Sequence, residues 1–171
     1  MMVHESRLPK TMRPTPGSFL YPNTPPFFVP TEEFWTRFKR FVDAGITFIE
    51  CGCADGYLLD MAGERGIQMT GIELFPREST SVRVAPGDAC NLTWSHTQWP
   101  LICRPDHSGW ISDVFNACKS VGACALYVGL SRNYTRDILG HHARKIASKV
   151  GKDGENMFLV NPHSAPSQFK V

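Results

Sequence analysis

The chain has 171 residues, a formal net charge of +2, 42% hydrophobic and 11% aromatic residues. That length holds one domain with a substantial core and excludes two. No run approaches the roughly 20 apolar residues of a membrane span, and the Pro-rich, polar N-terminus does not read as a signal peptide. The six cysteines, 51, 53, 90, 103, 118 and 124, sit mostly inside apolar runs without CxxC or zinc spacing. They read as buried free thiols of a protein in a reducing cytoplasm.

Residues 1–30 contain seven prolines among Phe19, Tyr21, Phe27 and Phe28, a composition that predicts an irregular arm lying partly on the domain. Residues 31–171 form the domain. Thr31 is placed as an N-cap before Glu32 and Glu33, and Phe34, Phe38, Phe41 and Val42 mark the inner face of a first helix closed by Gly45. Ile46–Glu50 is a strand, followed by a Gly52–Gly56 turn and a helix over 57–65. Further strands are expected at 68–74, 81–84, around 101–103, at 124–130 and at 157–160. Helices are expected at 108–121 and along the stripe Tyr134, Ile138, His142, Ile146 and Val150. Strands alternating with helices predict a single α/β domain, a mostly parallel Rossmann-like sheet with helices on both faces. Ligands of such sheets bind at the carboxyl ends of the strands.

The loops that follow strands carry the polar groups. In Glu50-Cys51-Gly52-Cys53-Ala54-Asp55-Gly56, an acid precedes a glycine-bracketed turn into a helix, where backbone amides can meet a ligand. A dinucleotide fingerprint would need glycine where Tyr57 stands. Glu73 ends the second strand, and Gly87-Asp88-Ala89 follows the third. The pattern Glu-x-Gly-x-Ala-x-Gly resembles motif I of the class I S-adenosylmethionine-dependent methyltransferases, with Ala54 where that family usually has glycine. The resemblance covers about 45–130. It implies a compact methyltransferase-like fold and S-adenosylmethionine as cofactor. Carried over by position, it assigns Glu50, Gly52, Cys53, Ala54 and Gly56 to the methionyl part, Glu73 and Leu74 to the ribose, Asp88 and Ala89 to the adenine, and Arg104 to the cofactor rim.

Arg104-Pro105-Asp106-His107-Ser108-Gly109-Trp110 occupies the place of the family's substrate-facing motif. Asp106 and His107 are candidates for proton removal from an acceptor hydroxyl or amine; helix capping by Asp106 or Ser108 is the competing explanation. Asn133 and Tyr134 are either substrate-orienting or part of a helix cap. Residues 131–152 hold Arg132, Arg136, Arg144, Lys145, Lys149 and Lys152 against Asp137 alone. This is either a solvated helix face or a surface for an anionic substrate such as nucleic acid. His141 and His142 diverge by about 100° on a helix, which argues against a joint metal site. Three functions fit the motifs: methyl transfer to an undefined acceptor, binding of the nucleoside without catalysis, and cleavage of S-adenosylmethionine.

Overall fold

Apolar runs bounded by glycines become the inner strands of one sheet. The computed structural model describes residues 28–76, 81–105 and 109–169. In chain order the elements are α1 (Glu32–Asp43), β1 (Thr47–Cys51), α2 (Tyr57–Glu64), β2 (Thr70–Glu73), β3 (Val84–Pro86) and β4 (Gln98–Cys103). There follow α3 (Ile111–Ser120), β5 (Ala125–Gly129), α4 (Ser131–Asp137), β6 (Ala143–Ala147) and β7 (Asn156–Val160). Among the described residues the seven strands are ordered β3-β2-β1-β4-β5-β7-β6. The first five are mutually parallel, and β7 runs antiparallel to both β5 and β6. The sheet is therefore mixed, with a hairpin where the sequence pointed to further helix.

Helices cover both faces, as the pleat shows. Phe48 is in register with Trp99, and both rings pack on α1, through Phe38–Phe48 at 4.7 Å and Phe41–Trp99 at 5.7 Å. Tyr127, in register with Ile102 one residue out of phase with that set, meets Phe115 of α3 and Asp137 of α4 on the other face. Every residue of β5 is buried, which explains its near-continuous apolar run.

Three expectations are corrected. The stripe 134–150 is not one helix: α4 stops at Asp137, Gly140 takes φ +81°, and 143–147 pair with β7. Backbone pairing at the open edge of β7 overrides a helical periodicity that rested on five positions. His141 and His142 consequently lie off any helix, and His141 Nε2 meets Ser112 Oγ at 2.8 Å. The third strand begins at Val84, because Ser81 is tied into a turn by Val84 N–H and its own hydroxyl donates to Asp60. Thr31 stands at the N-cap of α1 as expected, with extended backbone, but its hydroxyl makes no cap hydrogen bond and donates instead to the Lys149 carbonyl at 2.9 Å.

Phe28 is buried against Phe34. Residues 29–31 run beside 150–152, joined by Thr31 N–H to Val150 O and Lys152 N–H to Val29 O. The expected aromatic arm otherwise lies outside the described residues. Among the described residues no disulfide joins the cysteines, and no helix is long and apolar enough to cross a membrane.

Candidate functional site at the carboxyl rim

Parallel pairing brings the ends of β1 and β2 together. Glu50 is in register with Gly71, so Glu50 and Glu73, two residues beyond, project from the same face of the sheet. Both carboxylates are buried, at 6% and 8% exposure. Burial raises the Glu50 carboxyl well above the ordinary carboxylate range, and the Glu73 charge pushes it the same way. Glu50 Oε2 has no hydrogen-bond partner among the described residues. A buried acid without a donor is costly to a folded chain unless a cation or donor arrives from outside.

The turn after β1 is held by left-handed backbone at Gly52 (φ +70°), Ala54 (φ +50°) and Gly56 (φ +86°). A Cβ on Gly56 would lie 2.7 Å from Ser81 Cβ and 2.9 Å from Val84; this glycine lets the turn seat against the entry to β3. On β2, a Cβ on Gly71 would come within 2.6 Å of Cys53 Sγ and 2.8 Å of Leu59. The turn amides are largely committed. Those of Gly52 and Cys53 donate to the Ile72 carbonyl at 2.9 and 3.4 Å, and that of Ala54 donates to Glu73 Oε2 at 3.3 Å. The turn therefore positions Glu73.

The other predicted positions fall along the same rim. Leu74 follows β2 directly. Asp88 is buried, starts a short 3-10 turn over Ala89–Asn91, and accepts from Cys90 N–H at 2.9 Å; Ala89 is buried beside it. Cys53 is buried, and burial with the neighbouring Glu50 raises its thiol pKa. The structure thus brings Glu50, Gly52, Cys53, Ala54, Gly56, Glu73, Leu74, Asp88 and Ala89 to the ends of three adjacent strands. Asp106 and His107 lie outside the described residues.

Arg104 departs from its expected place. It sits at φ +44°, directly after β4, and its guanidinium points toward the β6–β7 connection, 2.8 Å from Asp153 and 3.7 Å from the fully buried Glu155. An opposed pair of carboxylates attracts the guanidinium more strongly than a distant ligand rim. Asn133 serves the backbone, its Oδ1 accepting from Leu130 N–H at 3.0 Å, and Tyr134 packs on Phe158.

The sequence marks Trp110 only as the first apolar position of the helical stripe Trp110, Val114, Cys118 and Val121, yet its indole would lie 3.5 Å from a Cβ on Gly52. Helical periodicity reports a packed face and does not tell that the ring reaches the turn after β1. A cavity of about 230 Å³, lined by Phe38, Val42, Gly45–Phe48 and Gly66–Met69, opens at the amino ends of β1 and β2. It lies at the opposite end of the sheet from the acids.

No family model and no curated protein sequence matches the chain. Solved structures do resemble it. The protein yhhF of Escherichia coli, described provisionally as a methyltransferase, is 12% identical over 76% of this chain and 86% of its own, with a TM-score of 0.51. WbdD, in a complex with the kinase inhibitor LY294002, is 12% identical over 75% of this chain and 39% of its own, with a TM-score of 0.50. This chain therefore spans well under half of WbdD. A SAM-dependent methyltransferase from Archaeoglobus fulgidus is 12% identical over 75% and 93%, with a TM-score of 0.47. The strand order β3-β2-β1-β4-β5-β7-β6, its antiparallel β7 and the likeness to yhhF give this chain the fold of the class I S-adenosylmethionine-dependent methyltransferases.

Proposed function

We propose that this protein binds S-adenosylmethionine at the ends of β1–β3 and transfers its methyl group to an acceptor. The observation that carries the reading is Glu50: a buried carboxyl beside a second acid, with one oxygen lacking a partner among the described residues. An ammonium or sulfonium group brought by a ligand matches that need. Glu73, aimed by Ala54 N–H, is assigned to the ribose hydroxyls, which it can receive in bidentate fashion. Asp88 is assigned to the adenine amine.

When bound, S-adenosylmethionine supplies an electrophilic methyl on sulfur, so that the S–CH₃ bond breaks as the acceptor–CH₃ bond forms and a thioether leaves. The protein's part is alignment, exclusion of water, and removal of the acceptor's proton where it has one. The sequence offers Asp106 and His107 for that last role. His107→Ala should then lower turnover with cofactor affinity kept; unchanged turnover would remove His107 from it.

Calorimetry with S-adenosylmethionine and S-adenosylhomocysteine tests the binding step. Glu73→Ala should weaken binding by roughly 1.5–3 kcal/mol, the worth of hydrogen bonds to a charged group. Absence of heat for wild-type protein with either ligand at millimolar concentration would overturn the reading. Binding followed by release of methylthioadenosine without any acceptor would replace transfer with cleavage.

A further inference from the structure

The half of the rim beyond β4 has a different charge pattern. The segment 131–152, continuous in sequence, is folded into α4, β6 and the start of the β6–β7 connection. Two of its cations are engaged: Arg136 pairs with the buried Asp137, and Arg144 donates to the Phe169 carbonyl. Among the described residues, the acids beside it are engaged as well. Asp153 and Glu155 hold Arg104, while Glu32 and Glu33 pair with Arg65 and Arg37.

Arg132, Lys149 and Lys152 are exposed and have no side-chain partner among the described residues. The strand register puts all three at the carboxyl rim. Gly129 at the end of β5 faces Asn156 at the start of β7, so the first turn of α4 and the 148–155 connection lie side by side. Arg132 enters from α4, and Lys149 and Lys152 from the connection, which the strap 29–31 fastens through three hydrogen bonds. From β5 to β6 the rim that carries these cations spans two strand spacings, about 10 Å. Three unneutralised cations on a tethered ledge, where the described acids Asp153 and Glu155 share the Arg104 guanidinium, suit a chain of anions better than a single small one.

We propose that this ledge binds the phosphates of a nucleic-acid strand, and that the strand is the methyl acceptor. The second clause rests on the function proposed above; the first does not.

The test is fluorescence anisotropy of full-length protein with labelled single-stranded RNA and DNA 12-mers of mixed sequence, across a salt series. The variant combines Arg132→Gln, Lys149→Gln and Lys152→Gln, all on the surface. We expect at least a tenfold loss of oligonucleotide affinity, a salt slope smaller by about 2, as for three lost phosphate contacts to a single strand, and unchanged calorimetry with S-adenosylmethionine. Equal binding by wild type and variant would overturn the ledge, as would absence of wild-type binding at 50 mM salt, about the lower end of the range where such contacts are strong. Binding to phosphatidylserine vesicles without oligonucleotide binding would overturn it in favour of a membrane surface. Oligonucleotide binding that needs the three cations, in a protein that gives no heat with S-adenosylmethionine, would keep the ledge and sink the cofactor reading instead.

Discussion

The two halves of the carboxyl rim treat buried carboxylates in opposite ways. Over β1–β3, Glu50 and Glu73 lie side by side, and Glu50 keeps an oxygen with no donor among the described residues. Over β4–β7, Glu155 is more deeply buried still, and its Oε2 likewise has no hydrogen bond among the described residues; but its Oε1 accepts from Asp153 N–H at 2.9 Å and the Arg104 guanidinium lies 3.7 Å from its Oε2. Neither burial nor a missing hydrogen bond therefore marks a binding site by itself; a buried carboxyl beside a second acid, with no cation described near it, does. The first half holds a charge that a ligand must complete, and the second has a cation of its own.

If that contrast is sound, removing that cation should cost the most. Arg104→Ala leaves Glu155 and Asp153 facing each other, and loss of one partner of a buried pair costs about 3–5 kcal/mol. Urea unfolding measures it. Adding Glu155→Gln to Arg104→Ala should recover much of the loss, because the uncompensated charge is then gone. A single variant as stable as wild type would show that the cluster is only decoration. Gly71→Ala comes next: the new methyl would press on Cys53 and Leu59 at under 3 Å, and overpacking of this kind costs about 1–3 kcal/mol. Gly109, which has no described residue within 4 Å of its Cβ position, provides the control; Gly109→Ala should stay within about 0.5 kcal/mol of wild type.

The first half of the rim was more legible in sequence than the second for a physical reason. Glu50, the glycine turn and Glu73 depend on local chain geometry, a strand ending in a tight turn, and such geometry leaves residue types at fixed offsets. The distant pairing of β6 with β7 leaves no such offsets, and Ile138, Ile146 and Val150 mimic a helical stripe while Ala143–Ala147 is in fact an edge strand. Arg104 was assigned to the cofactor by position after β4. Its real partners, Asp153 and Glu155, lie about fifty residues away in the chain, and only the fold brings them near. The role of Gly71 was equally hidden, since sequence does not say which side chains crowd a glycine.

The unfinished half yields a smaller effect of opposite sign. The Glu50 carboxyl is raised in the folded protein, so the folded state holds its proton more tightly than the unfolded chain. Its contribution to stability is therefore present at low pH and is lost as pH rises from the ordinary carboxylate value of 4.5 toward the folded value. Glu50→Gln should stabilise the ligand-free protein at neutral pH, by about 1 kcal/mol, and flatten that part of the pH profile. The same variant should bind S-adenosylmethionine more weakly. In wild type, ligand affinity should rise with pH through the Glu50 titration, because a cation prefers the ionised form, and calorimetry in buffers of different ionisation enthalpy should register proton release. A variant both less stable and unchanged in affinity would mean that Glu50 is a structural acid after all.

The smallest expected effect isolates the turn. Ala54 holds φ +50°, a region in which a Cβ crowds the following carbonyl at a cost of about 1 kcal/mol. Its N–H still reaches Glu73, so the strain is borne while the acid is kept in place. Ala54→Gly removes the crowding but frees the unfolded chain, and the two effects partly cancel. A net gain of about 0.5 kcal/mol in thermal unfolding is expected. Ligand affinity should change little if the turn is held by its hydrogen bonds to Ile72 and Glu73. If affinity falls instead, the methyl itself forms part of the ligand surface, and the alanine at this position is a feature of the site and not a tolerated departure from glycine.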